Sequence, residues 1–242
     1  MKTALIALLL VLAAQSAICQ ETVRDSLPPG QPVLSAVAPY IIPAVLISYG
    51  VVGVESDKLK LFNSEIDEEV NEHIDEKFTI DDVSQYVPFV SVYALSALGV
   101  RSRHNLKDRT LVLATAYGMM GATVLGLKQL ITLQRPDGTT YNSFPSGHTA
   151  TAFMGAEFAY QELKDVSVWY GVGAFAIATG TGVFRMYNKR HWLTDVAAGA
   201  GIGILCTKLS YLIYHKQGAP ARYAAYPTFG EAGVGLAFHM RL

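Results

Sequence analysis

Lys128, Arg135 and Arg185 supply three cations, His148 and His191 two imidazoles, and Asp195 one carboxylate, all within about seventy residues of one another. They fall in three short stretches: Lys128 to Pro136, Pro145 to His148, and Arg185 to Asp195. Each stretch lies where an apolar run meets a polar loop. That inventory can grip a phosphate and break its ester bond without a metal. Phosphoryl transfer moves negative charge onto the equatorial oxygens, so its catalysis rests on positioning and fixed positive charge.

The residue types suit the task. Lys128 is a point charge on a flexible stem, while Arg135 and Arg185 are planar forks able to hold two oxygens each. Pro136 directly after Arg135 turns the chain out of helix. Ser146 is a good N-cap, and Gly147 lets backbone approach an anion closely. The free N–H groups of the helix that follows form an anion site with the helix dipole, and His148 stands beside it, placed to protonate a leaving alkoxide. His191 and Asp195 are four apart and share a face if helical. A carboxylate on one ring nitrogen fixes the tautomer and frees the other nitrogen to attack phosphorus. Spacing alone does not say which histidine attacks.

The three stretches resemble the signature of the type 2 phosphatidic acid phosphatase superfamily: K-x6-R-P, P-S-G-H and S-R-x5-H-x3-D. Every position matches except one, where Phe184 stands in place of the usual Ser. The resemblance covers roughly residues 86–216. It implies His191 as the nucleophile that forms a phosphohistidine, Asp195 as its orienting partner and His148 as general acid. It implies Lys128, Arg135, Ser146, Gly147 and Arg185 as phosphate ligands, with no metal and no cofactor. Phe184 removes one hydroxyl donor and leaves the cations and histidines in place.

Composition points to a membrane. The chain of 242 residues is 51% hydrophobic and 16% charged, against about 25% charged in soluble domains. Net charge is −1, and no basic tract suggests nucleic acid. Cys19 and Cys206 both lie in apolar runs and show neither zinc spacing nor a disulfide framework. Lys2, the apolar Ala4 to Ala14 and the small residues before Gln20 read as an export signal or an N-terminal anchor.

Val33 to Val54 is long enough to cross a bilayer, which takes about twenty residues, and Pro39 and Pro43 should bend it. Residues 55–85 are acidic and amphipathic, with Leu59, Phe62, Ile66, Val70, His73 and Ile74 as a stripe; His73 reads as a surface or packing histidine. Apolar runs continue at 86–100, 110–127, 149–163, 168–184 and 193–214. Gly199 and Gly203 make a small-xxx-small face for close helix packing. His239 has no evident role. The expected fold is all-α: a transmembrane bundle of five or six spans, an amphipathic extramembrane helix and a short irregular C-terminal tail. The segments are 1–19 (signal or anchor), 20–85 (leading apolar stretch and acidic helix), 86–216 (phosphatase core) and 217–242 (tail).

Positive charge favours the cytoplasmic side of short loops. Arg101, Arg103, Lys107 and Arg109 place their loop inside, and counting helices onward puts all three motifs outside. The leading expectation is an inner-membrane lipid phosphatase with its site facing the periplasm or exterior. Its candidate substrates are lipid A, polyprenyl pyrophosphate, phosphatidylglycerol phosphate and phosphatidic acid. Two other readings are a non-catalytic binder or transporter of anionic lipids and a vanadium-dependent haloperoxidase, in which vanadate occupies the same cradle.

Overall fold

A computed structural model describes residues 33–71, 79–218, 223–230 and 233–240. The export signal, His73, Ile74 and Cys19 lie outside the described residues. The helices are α1 (Val33–Glu55), α2 (Asp57–Asn71), α3 (Ile80–Ser84), α4 (Val87–Ala97), α5 (Leu106–Leu130), α6 (Gly147–Leu163), α7 (Val168–Tyr187) and α8 (Leu193–Gly218). A C-terminal pair of strands follows, β1 (Tyr223–Gly230) and β2 (Gly233–Met240), antiparallel with Tyr223 opposite Met240. The expected irregular tail is therefore corrected to a hairpin. Its alternation is weak in sequence, because glycines and a proline interrupt both strands.

Capping side chains mark where several helices start. Asn105 accepts from the Asp108 N–H at 3.0 Å to open α5, and Ser146 and Ser167 take the same role for α6 and α7. Pro39 and Pro43 both lie inside α1, which nonetheless runs unbroken for 23 residues. Helices α1, α5 and α8 each contain a stretch long and apolar enough to cross a membrane: Val37–Glu55, Leu106–Leu130 and Leu193–His215. Helix α4 is apolar but only 11 residues long. Large apolar side chains on the outside, among them Ile42, Leu125 and Trp169, give the bundle a surface suited to hydrocarbon.

Helix α8 is the central post, packed against α1, α5 and α6. Its small residues serve two faces. A Cβ on Gly199 would sit 2.4 Å from the Ser146 carbonyl oxygen, and one on Gly203 would sit 2.2 Å from that of Ala150, so only glycine admits the backbone of α6. Gly201 meets α1 in the same way, at 2.7 Å from the Pro43 carbonyl oxygen. The Thr207 hydroxyl then donates to the Met154 carbonyl at 3.1 Å.

The amphipathic reading of 55–85 needs one correction. In α2 the deepest position is Asn63, while Phe62 is 43% exposed. Asn63 Nδ2 donates to Thr194 Oγ1 at 2.9 Å, so a polar contact docks this helix on the start of α8.

Successive long helices alternate in direction. The ends carrying Lys128 (α5), Ser146 (α6), Arg185 (α7) and Asp195 (α8) share one end of the bundle, and α2 and α3 lie there too. The basic 101–109 loop lies at the other end. There Glu162, wholly buried, accepts from Tyr211 Oη at 2.6 Å and lies 2.8 Å from His104 Nδ1. Arg109 donates to Ser96 Oγ and Ser102 Oγ and lies over the Tyr93 ring at 4.8 Å.

Candidate active site

Lys128 occupies the last turn of α5 and reaches into the following loop, donating to the Asn142 carbonyl at 2.6 Å. That loop, 131–146, folds on itself: Leu133 pairs with Asn142, and Arg135 donates its backbone N–H to the Thr140 carbonyl. Arg135 Nε donates to Asn142 Oδ1 at 3.1 Å. Burial first, then the Arg185 and Arg190 charges, hold the Arg135 guanidinium below its ordinary pKa. The cations therefore crowd one another.

The loop ends in the Ser146 N-cap. Ser146 Oγ lies 2.9 Å from Thr149 Oγ1, and the Ser146 N–H donates to the Asp195 carbonyl at 3.1 Å, fastening the second motif to the third. Gly147 opens α6, where a Cβ would meet Val124 Cγ1 at 3.7 Å. His148 follows, its Nε2 at 2.8 Å from Asp82 Oδ1.

Arg185 sits in the last turn of α7, buried, and donates to Asp81 through Nη1. The chain then turns through Lys189 at φ 53° and enters α8. Three contacts fix this turn to the first motif's loop, the first from the Asp137 N–H to the Lys189 carbonyl at 3.1 Å. Trp192 Nε1 donates to the Gln134 carbonyl at 2.8 Å, and Arg190 pairs with Asp137 at 3.2 Å. Arg190 is thus a bridge between loops. Phe184, the departure from the motif, packs edge-on against Tyr187 with ring centroids 5.9 Å apart.

His191 is 2% exposed, and its Nδ1 lies 3.7 Å from Asp195 Oδ2, just beyond hydrogen-bond reach. Asp195 Oδ2 already accepts from Ser143 Oγ at 2.5 Å and from the Trp192 N–H at 3.0 Å. His191 Nδ1 and Asp195 Oδ1 are both buried without a hydrogen-bond partner. Burial drives the His191 pKa from 6.5 to about 4, with Asp195 pulling upward against the Lys128 and Arg185 charges. The ring is neutral at physiological pH, as a nitrogen nucleophile must be.

Every motif residue singled out in the sequence thus lies at one end of the bundle, around one spot. The geometry also brings in residues outside the signature: Ser143, Asn142, Asn188, Asp81 and Asp82. Ser143 and Asn142 were close to the second motif in sequence, and their polar types were the only signal. Asp81 and Asp82 gave none beyond an acidic stretch.

Residues 109–219 match the PAP2 superfamily, which is the phosphatase superfamily named above. The matched segment covers a little under half of the chain. It begins at Arg109 and contains all three motifs, while α1 to α4 precede it. A lipid A 1-phosphatase of Porphyromonas gingivalis is 43% identical to the chain over 136 residues, 55% of this chain and 30% of that protein. A probable lipid phosphate phosphatase 4 of Arabidopsis thaliana is 32% identical over 115 residues, 41% of this chain and 37% of that protein. The chain spans about a third of the length of these relatives. Among solved structures, Aquifex aeolicus LpxE is 25% identical, with a TM-score of 0.47 over 62% of this chain and 94% of the other. A transmembrane PAP2-type phosphatidylglycerolphosphate phosphatase of Bacillus subtilis is 18% identical, with a TM-score of 0.46 over 72% of this chain and 96% of the other. Around these three motifs the chain offers cations, a helix N-terminus and a buried neutral imidazole.

Proposed function

We propose that this protein is an integral-membrane phosphatase that removes phosphate from a lipid through a phosphohistidine, with no metal. The observation that carries the reading is the convergence of Lys128, Arg135 and Arg185 on a buried neutral His191 beside the α6 N-terminus.

The substrate phosphate sits among Lys128, Arg135, Arg185, the Ser146 hydroxyl and the first N–H groups of α6 from Gly147. His191 Nε2 attacks phosphorus as the ester P–O bond breaks. The leaving oxygen takes a proton from His148. A water then attacks the phosphohistidine, gives its proton to His148, and inorganic phosphate departs. Asp195 closes on His191 Nδ1 as the imidazole gains positive charge; such bonds often tighten only once substrate is bound.

Helices α1 and α4 to α8 cross the membrane, the shorter ones completed by adjoining loop residues, which gives the upper of the expected five or six spans. The basic 101–109 loop faces the cytoplasm and the site faces the periplasm of the inner membrane. At that depth the phosphate of an amphiphile meets the cations directly, which favours a lipid over a soluble ester. The similarity to a lipid A 1-phosphatase makes the lipid A 1-phosphate the first substrate to test; polyprenyl pyrophosphate, phosphatidylglycerol phosphate and phosphatidic acid follow.

The test is phosphate release by the purified protein from each of these lipids in mixed micelles, with a chelator present. Metal-independent release from at least one, blocked by vanadate, supports the reading. No release from any, or release that requires a divalent metal, overturns it.

A further inference from the structure

Two consecutive carboxylates on α3 stand at the edge of this site, and both precede the PAP2 segment 109–219. Asp81 is 1% exposed. It accepts from Arg185 Nη1 and, through Oδ1, from Asn188 Nδ2 at 3.1 Å. Asp82 faces the other way, with Oδ1 2.8 Å from His148 Nε2 and 3.8 Å from Arg185 Nη1. The short helix is fastened to α7 through Ser84 Oγ, 2.8 Å from Thr181 Oγ1, and its own last turn is closed by Gln85 Nε2, which donates to the Asp82 carbonyl at 2.9 Å.

We propose that Asp82 is the positioning residue of the general acid: it holds the His148 ring through Nε2 and favours its protonated form. This rests on the phosphatase reading above. The His148 Nε2–H bond to Asp82 persists through the cycle, so Nδ1 is the nitrogen that moves the proton. In the first half Nδ1–H passes its proton to the leaving oxygen as the P–O bond breaks. In the second, Nδ1 takes a proton from the attacking water. Asp82 stays ionised throughout.

Three observations favour this over a metal site or a plug. Donor atoms of Asp81, Asp82 and His148 lie within 4.8 Å of one another, but both oxygens of Asp81 are taken and the Arg185 guanidinium sits among them, repelling a dication. Asp81 and Ser84 anchor α3 to α7, so Asp82 is not on a segment that swings away. The charged groups that reach His148 are Arg185 from α7, which opposes protonation, and Asp82 and Asp81 from α3, which favour it. Helix α4 carries no charge, and Lys128 of α5 and Asp195 of α8 act on His191. Asp82 is the anion in direct contact, and a contacting anion favours the imidazolium.

The experiment is Asp82→Asn in the full chain, compared with wild type and Asp82→Glu across pH on one alkyl lipid phosphate and one aryl phosphate. Asp82 is an exposed side chain, so a thermal melt in detergent should stay within a few degrees of wild type. On the alkyl substrate, kcat of Asp82→Asn should fall about 10- to 100-fold with KM within about twofold. The descending high-pH limb should move down by about one pH unit. On the aryl substrate, whose leaving group needs no proton, the loss in kcat/KM, which reports the P–O cleavage half alone, should largely vanish, and Asp82→Glu should recover part of the alkyl rate. An unmoved high-pH limb, an equal loss of kcat/KM on both substrates, or a lower KM with undiminished kcat overturns the proposal; the last means that Asp82 competes with phosphate. An active wild type with any of these results overturns this inference alone, whereas a wild type inert on every substrate overturns the phosphatase reading and this inference with it.

Discussion

The Ser143 hydroxyl donates to Asp195 Oδ2 at 2.5 Å, with both residues wholly buried. Ser143 lies in the loop between the first two motifs, and its carbonyl also faces Lys128 Nζ, at 3.5 Å. One serine therefore touches both the cation of the first motif and the carboxylate of the third. A hydrogen bond to a buried charge contributes about 1.5–3 kcal/mol. We expect Ser143→Ala to lower kcat about tenfold or more through a loosened Asp195, with KM little changed. Steady-state kinetics on the active lipid checks this.

The pH profile follows from His191. Its folded pKa is about 4, below the ordinary 6.5. A depressed value means that the neutral, attacking form persists as pH falls through 6.5 and is lost only near 4. The acid limb of kcat/KM should therefore lie well below pH 6.5. The same sign applies to folding: the unfolded chain binds this proton first, so stability falls as pH drops from about 6.5 to about 4. Initial rates from pH 4 to 8 at constant ionic strength check the first statement, and denaturation over the same range checks the second.

Packing at the site depends on glycine where two backbones touch. Gly203→Ala puts a methyl group 2.2 Å from the Ala150 carbonyl oxygen, which backbone cannot easily yield. Overpacking of this kind costs about 1–3 kcal/mol. Gly180→Ala on α7 meets nothing within 4 Å and should be neutral or slightly stabilising. Thermal melts in detergent should separate the two variants by several degrees.

At the far end, Glu162→Ala leaves His104 and Tyr211 without their shared acceptor in a buried setting. A buried donor left without its acceptor costs about 1–3 kcal/mol. The expected result is poor folded yield, with whatever protein remains folded turning over at the wild-type KM. Size-exclusion profiles and kinetics on the monodisperse fraction check it.

Much of the core was legible in sequence because each motif marks a helix end. Lys128 closes α5, Ser146 caps α6, Arg185 closes α7 and Asp195 opens α8, and alternating directions alone bring four such ends together. Gly199 and Gly203 were readable for a similar reason, since their spacing states which face is narrow. Gly201, at the α1 contact, breaks that spacing and was not. The polar neighbours were illegible because nothing local marks them: Asp81 and Asp82 look like any acidic surface turn until α3 is docked on Arg185 and His148. Asn63 was hidden beside Phe62, since a hydrophobic stripe favours the aromatic, whereas the contact with Thr194 needs an amide.

The claim on which the account depends is that His191 carries the phosphoryl group. The direct measurement is intact-protein and peptide mass spectrometry after an alkaline quench during turnover, which preserves phosphohistidine. We expect the mass of one phosphoryl group on the peptide containing His191 in wild type, and none in His191→Ala, which should also release no phosphate. A His191→Ala protein that turns over near the wild-type rate, or label found on another residue, would contradict it.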